Sequence, residues 1–216
     1  MVGAVSSAQT WRAVAGAELP CDVVELRVDA LEPADRRLPE AIPCPKPLLL
    51  TLRHESEGGL CRWHEAERRA LAEALFPTAA MLDWEIARLA GAEKLLAAAA
   101  AAGVGVVVSA HYFHGMPELH EMRELESRAL DAGAAVVKIA FTPRNADDVQ
   151  RGLEFLATRR MPAAIMGMGA YGPESRALYT AHGSALLYGY LGEAPTAPGQ
   201  LSALECMRMR DRHTRA

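Results

Sequence analysis

The chain has no block of like charge, no C-x-x-C pair and no apolar run long enough to span a membrane. Each absence removes a class of function. Its formal charge of -4 is scattered, so neither a nucleic acid nor a membrane surface is an expected partner. Cys21, Cys44, Cys61 and Cys206 lie far apart, which suits a reducing cytoplasm and supplies neither a disulfide framework nor a zinc site. The Met1–Ser6 start lacks the length and basic flank of a signal peptide, so a cytoplasmic protein is expected. No linker-like stretch interrupts the 216 residues, half of them hydrophobic, and one domain over 1–216 is expected.

What is present is a regular alternation of short apolar runs and amphipathic stretches. The runs are Val2–Val5, Val23–Val28, Pro47–Leu52, Ala80–Trp84, Val104–Val108, Ala135–Ile139, Pro162–Met166 and Ser184–Tyr188. Helical spacing follows them over Ala8–Ala17, Asp35–Ile42, His64–Phe76, Leu89–Ala102, Glu118–Asp131, Asn145–Thr158, Pro173–Ala181 and Gln200–Arg212. The alanine run Ala97–Ala102 only ends its helix before Gly103. Eight strand–helix units in a chain of this length predict an α/β fold, a single closed (β/α)₈ barrel. An open doubly wound sheet seldom runs to eight units in so few residues.

In such a barrel the chemistry sits where strand C-termini converge. Glu25 and Arg27 end strand two, Arg53 and Glu57 follow strand three, and Asp83 and Glu85 end strand four. His111 follows strand five, Lys138 lies in strand six, and Arg176 is in the loop after strand seven. Residues two apart share one face of a strand, so Glu25 with Arg27 and Asp83 with Glu85 are same-face pairs. A lysine inside the apolar run Ala134–Ala140 is costly to bury as an ammonium. Desolvated, it becomes an amine able to form an imine with a ketone; the other reading is a strand-closing lysine that snorkels to water.

Six ordered segments carry a resemblance. Glu25-Leu26-Arg27-Val28-Asp29, Thr51–Gly59, Ser109-Ala110-His111, Val137-Lys138-Ile139-Ala140, Met166-Gly167-Met168 with Ser175-Arg176, and Ala197-Pro198-Gly199-Gln200 together resemble type I 3-dehydroquinate dehydratase. The resemblance implies a (β/α)₈ barrel that removes water from 3-dehydroquinate by syn elimination, giving 3-dehydroshikimate in the shikimate pathway. It also implies no metal and no cofactor beyond a covalent imine on Lys138, and a homodimer. His111 would move the proton, with a pKa near neutrality, and Glu57 would orient the imidazole. Arg176, helped by Gln200 and Thr196, would clamp the substrate carboxylate. Glu25, Arg27 and Arg53 would bind ring hydroxyls. Met166, Met168 and Tyr188 would wall the ring, while Asp83 and Glu85 would balance the cations from behind. Arginines nearby would help push the Lys138 pKa down.

The chain departs from that family's pattern at several points. Tyr112 and Met116-Pro117 stand where an acidic residue and Thr-Pro are usual, Thr196 replaces a serine, and Tyr188 replaces a phenylalanine. The short N-terminus predicts a reduced plug under the barrel. Two other functions use part of the same residue set: a class I aldolase-type imine enzyme, and a non-catalytic binder of the same ligand. His111-x-x-His114 with Asp83 imitates a metal set, but neighbouring arginines would repel a cation. Gly167-Met-Gly169-Ala-Tyr-Gly172 matches a dinucleotide fingerprint, yet too little chain follows it to build a nucleotide-binding half. His54, His64, His114, His120 and His182 are expected to be solvated or in loops.

Overall fold

The computed structural model describes residues 1–192, 195 and 199–213. The strands are β1 (Val2–Val5), β2 (Val23–Arg27), β3 (Leu48–Thr51), β4 (Met81–Glu85), β5 (Gly105–Tyr112), β6 (Val136–Phe141), β7 (Ala163–Gly167) and β8 (Tyr188–Tyr190). The helices are α1 (Ala8–Val14), α2 (Leu38–Ala41), α3 (Glu65–Leu75), α4 (Glu93–Ala101), α5 (Leu119–Asp131), α6 (Ala146–Thr158), α7 (Gly172–Ala181) and α8 (Ala203–His213). β1 to β7 pair in sequence order, all parallel, and β8 returns to β1 through Val2↔Tyr188. This is the expected α/β barrel of alternating strands and helices.

Its last seam differs from the others. No β7–β8 ladder is present among the described residues; the Ala185 N–H donates to the Ala163 carbonyl at 2.8 Å instead. Ser184 Oγ accepts from the Ile165 N–H at 3.0 Å. Ser184, expected inside strand eight, therefore works as a side-chain clasp, and β8 begins only at Tyr188. Several helices are also shorter than their spacing predicts: α1 stops at Val14 and α8 starts only at Ala203. A 3-10 turn over Ile86–Arg88 and Gly91 at φ 82° delay α4 to Glu93. Pro39 limits α2 to a single turn after another 3-10 turn, Pro33–Asp35.

Side-chain parity along the strands builds the interior in levels. The odd strands contribute Val2, Leu49, Val107 and Ala164 to one apolar level inside the barrel. Val23, Met81, Val136 and Leu186 pack below it. The level above comes from the even strands. Tyr188 is in register with Val2, Glu25 with Leu49, Asp83 with Val107 and Lys138 with Ala164. A second, larger core joins the outer strand faces to the helices, with Trp11, Trp84, Phe141, Phe155 and Tyr179 fully enclosed. The glycines of the fingerprint-like stretch serve the β7–α7 turn: a Cβ on Gly167 would meet Ser175 Oγ at 2.1 Å, and Gly169 has φ +67°. No helix among the described residues is long and apolar enough to cross a membrane.

Candidate active site

The mouth of the barrel opens on a cavity with about 770 Å³ of empty space, open solvent at its entrance included. Lys138 stands on its floor, 5% exposed, raised there by β6. Its ammonium donates to Asp83 Oδ2 at 2.9 Å, lies 4.0 Å from Glu25 Oε1, and sits 4.4 Å from the centroid of the Tyr188 ring. Carboxylates and an aromatic face are thus its direct neighbours. Of the arginines expected to crowd it, Arg27 is drawn onto Asp29, while Arg53 shares Asp83 with the lysine. Burial alone would raise the Asp83 carboxyl, but Arg53 and Lys138 outweigh it and hold the group well below the ordinary carboxylate range.

Arg53 explains how so many charges are kept out of water. Its Nη2 meets Asp83 Oδ1 at 2.9 Å, and its Nη1 donates to Glu85 Oε1 at 3.0 Å and Ser109 Oγ at 2.8 Å. Ser109 Oγ in turn donates to Asp83 Oδ1 at 2.5 Å, and Thr51 Oγ1 donates to Glu25 Oε1 at 2.8 Å. Every buried carboxylate of this level therefore has a donor, the condition under which burial is tolerated. Arg27 forms a two-pronged pair with Asp29, at 2.9 and 2.7 Å. Asp29 also accepts the N–H groups of Arg53 and Leu60, so it ties β2 to the loop that carries Glu57.

Glu57 ends a 3-10 turn, Glu55–Glu57, capped at its start by His54 Nδ1, which accepts from the Ser56 N–H at 3.1 Å, and at its end by Gly58 at φ 82°. That turn brings Glu57 Oε2 to 2.8 Å from His111 Nδ1. His111 lies on β5 itself, which runs further than its apolar core suggests. Burial, reinforced by Arg53 and Lys138, pushes the imidazole well below its ordinary value, not near neutrality as expected. Burial also pushes Glu57 up to about 7 against the pull of Arg53. At pH above that value the neutral His111 donates Nδ1–H to the Glu57 carboxylate, leaving Nε2 with a free lone pair.

The opposite wall is apolar with one cation. Ala140, Met166, Met168 and Tyr188 line it, and Gln200 stands at its rim. Arg176 is not in a loop: it lies within α7, 2% exposed, and reaches the cavity from behind β8. Its Nη1 donates to the Tyr188 carbonyl at 3.1 Å, while its buried Nε has no hydrogen-bond partner among the described residues. Burial pulls this guanidinium below its ordinary value. Arg176 thus places a buried guanidinium in the lining of the cavity, a group whose chemistry suits a carboxylate. Asp83 and Glu85 lie beneath the lining rather than in it, and Thr196 lies outside the described residues.

Some residues that matter here were not singled out from the sequence. Asp29 was read only as part of a motif, and Arg68 only as one charge on an amphipathic helix. His54, expected to be solvated, is 8% exposed and caps the turn under Glu57, whereas His64, His114, His120 and His182 are exposed. Among the described residues no group of His, Cys, Asp and Glu is placed to hold a metal ion.

Comparison with known proteins gives one family. The type I 3-dehydroquinase model matches residues 5–210. The chain is 35% identical over 187 residues to a 3-dehydroquinate dehydratase of Methanocella arvoryzae, covering 85% of this chain and 83% of that one. It is 34% identical to a protein of the same name from Enterococcus faecalis, with 88% and 81% covered. The solved type I 3-dehydroquinate dehydratase of Clostridium difficile, bearing covalently modified comenic acid, superposes with a TM-score of 0.84 at 25% identity, covering 100% of this chain and 92% of that one. The Aquifex aeolicus structure superposes with a TM-score of 0.82 at 26% identity over the whole of both chains.

Proposed function

The chain belongs to the type I 3-dehydroquinase family, a hydro-lyase converting 3-dehydroquinate to 3-dehydroshikimate, and on that premise we propose how its residues divide the reaction. Lys138, as the free amine, adds to the substrate ketone and expels water to give a protonated imine. The imine draws electrons from the neighbouring carbon. His111 Nε2 takes a proton from that carbon and returns it to the departing hydroxyl, which leaves as water. A second water then hydrolyses the imine, freeing product and Lys138. The net change is the loss of one water.

Each neighbour has a part in this. Asp83 is too weak a base to take the lysine's proton; it locates the ammonium between turnovers. Glu57 fixes the His111 tautomer that leaves Nε2 free. Arg176, with Gln200 and Thr196, receives the carboxylate. Glu25, Arg27 and Arg53 face the ring hydroxyls, and Met166, Met168 and Tyr188 enclose the ring. We take residues 1–216 as one catalytic domain, a homodimer in the cytoplasm, whose two-chain mass light scattering would reveal.

One observation carries this reading: Lys138 and His111 open on the same cavity, with the buried guanidinium of Arg176 in its lining. The test is borohydride added during turnover of 3-dehydroquinate. The expected result is an intact-mass increase on Lys138, together with the rising ultraviolet absorbance of the enone. An aldolase would give an adduct without that absorbance; a binder would give neither.

A further inference from the structure

α3 lies on the outside of the barrel, yet one of its charges is wholly enclosed. Arg68 is 0% exposed. Its Nε donates to the Leu52 carbonyl at 2.7 Å, its Nη1 meets Glu65 at 3.2 Å, and its Nη2 donates to Glu85 Oε2. The guanidinium lies 3.8 Å over the Trp84 ring. A cation held this way is fixed in position, because fork geometry, stacking and burial all constrain it.

Glu85 passes the constraint inward. Its Oε1 accepts from Arg53 Nη1 at 3.0 Å and from the His54 N–H at 2.9 Å. Arg53 holds Asp83, and Asp83 holds Lys138. Charge alternates along Arg68, Glu85, Arg53, Asp83 and Lys138, from the outer helix to the cavity floor. We infer that Arg68 is a positioning residue for imine formation: by supplying Glu85 with a cation, it leaves Arg53 free to neutralise Asp83, and so limits how tightly Asp83 grips the Lys138 ammonium.

The physical reason is competition for one guanidinium. Without Arg68, Glu85 is a buried carboxylate with a single cation, and Arg53 is drawn toward it. Asp83 then compensates by holding Lys138 harder, in surroundings where charge interactions are little screened. The other groups facing Lys138 are Glu25 from β2, the Tyr188 ring from β8 and, at longer range, His111 from β5. An Arg68 substitution alters none of them.

This inference rests on Lys138 as the nucleophile, and the test separates the two. Full-length wild type, Arg68→Met and Arg68→Lys are mixed with 3-dehydroquinate, and borohydride trapping is timed by intact mass from about pH 6 to pH 9, alongside KM and thermal melting. Arg68→Met is expected to trap about tenfold more slowly at pH 7, the scale of one lost charge-assisted bond. KM should stay within about twofold, because the Arg176 clamp is untouched. Arg68→Lys, which keeps the charge but not the fork, should trap about threefold more slowly. Trapping that is unchanged, or slowed only in proportion to a rise in KM, overturns the inference even if the melting temperature falls. Should Arg68→Met fail to melt cooperatively, the same criteria apply to Arg68→Lys alone. No adduct in wild type overturns the imine reading and this inference with it; normal wild-type trapping beside unaltered variants overturns this inference only.

Discussion

Val2, Leu49, Val107 and Ala164 fill the barrel just beneath Glu25, Asp83, Lys138 and Tyr188, and the two sets point the same way in one continuous sheet. The lower set is held by burial, which is non-directional and tolerates exchange among residues of similar volume. The upper set is held by directed bonds, and each member is tolerable only while its partners remain. Removing a methylene below leaves a cavity; removing a charge above leaves an unpaired ion. Stability is concentrated in one level and reactivity in the next, less than a strand's length apart.

Substitutions in the two levels should therefore separate activity from stability. Lys138→Met should abolish borohydride trapping and lower turnover by more than about 10³-fold, the scale of losing a covalent nucleophile. A folded variant with appreciable turnover would remove the lysine from the chemistry. His111→Ala should still give the trapped adduct while turning over about 10²-fold more slowly. Glu57→Gln should lose about tenfold, since an amide can donate to Nδ1 and so place the proton on Nε2.

The pH dependence of Glu57 sharpens the comparison. Its carboxyl titrates at about 7 in the folded protein, above the ordinary 4.5. The folded state thus binds this proton more tightly than the unfolded chain. The stabilisation is full below about 4.5 and is lost as the pH rises through 7. The melting temperature of Glu57→Gln relative to wild type should accordingly rise between about pH 5 and pH 8. In wild type, kcat/KM should fall below pH 7, because the protonated carboxyl donates to Nδ1 and leaves Nε2 occupied; the variant should lack this limb.

Smaller effects on turnover are expected further out. Arg176→Gln should raise KM about tenfold with little change in kcat, the pattern of a lost ground-state carboxylate contact. Leu49→Ala, in the apolar level, should cost about 2–5 kcal/mol of stability in denaturant titration while kcat stays within about twofold. A variant at Leu49 that kept its stability but lost turnover would erase the distinction between the two levels.

Much of this arrangement was legible along the chain, and the gaps have physical causes. Lys138 could be read only beside the charged residues ending the other strands, because its apolar run alone fits a strand-closing lysine that snorkels to water. Glu25 with Arg27, and Asp83 with Glu85, could be read because a two-residue period needs no tertiary information. Arg68 could not: within His64–Phe76 it is one charge among several, and nothing local distinguishes the one that turns inward. At His54 the sequence predicts a solvated ring, because its role, capping the turn beneath Glu57, depends on how the chain folds back after β3. The motif around Arg176 implies a carboxylate clamp, but its place inside α7 depended on the glycine-rich turn closing early. Thr196 lies outside the described residues.

The residues alone determined the eight strand–helix alternations and the face each strand turns inward, since both follow from spacing between near neighbours. Which strands became neighbours, and at what height each inward residue stands, was decided by how the strands paired. That pairing sets β2, β4 and β6 in register with their neighbours and β8 with β1, and so gathers Glu25, Asp83, Lys138 and Tyr188 from 164 positions of chain into one level. Such a meeting depends on pairings between residues far apart in sequence, and no local pattern encodes it.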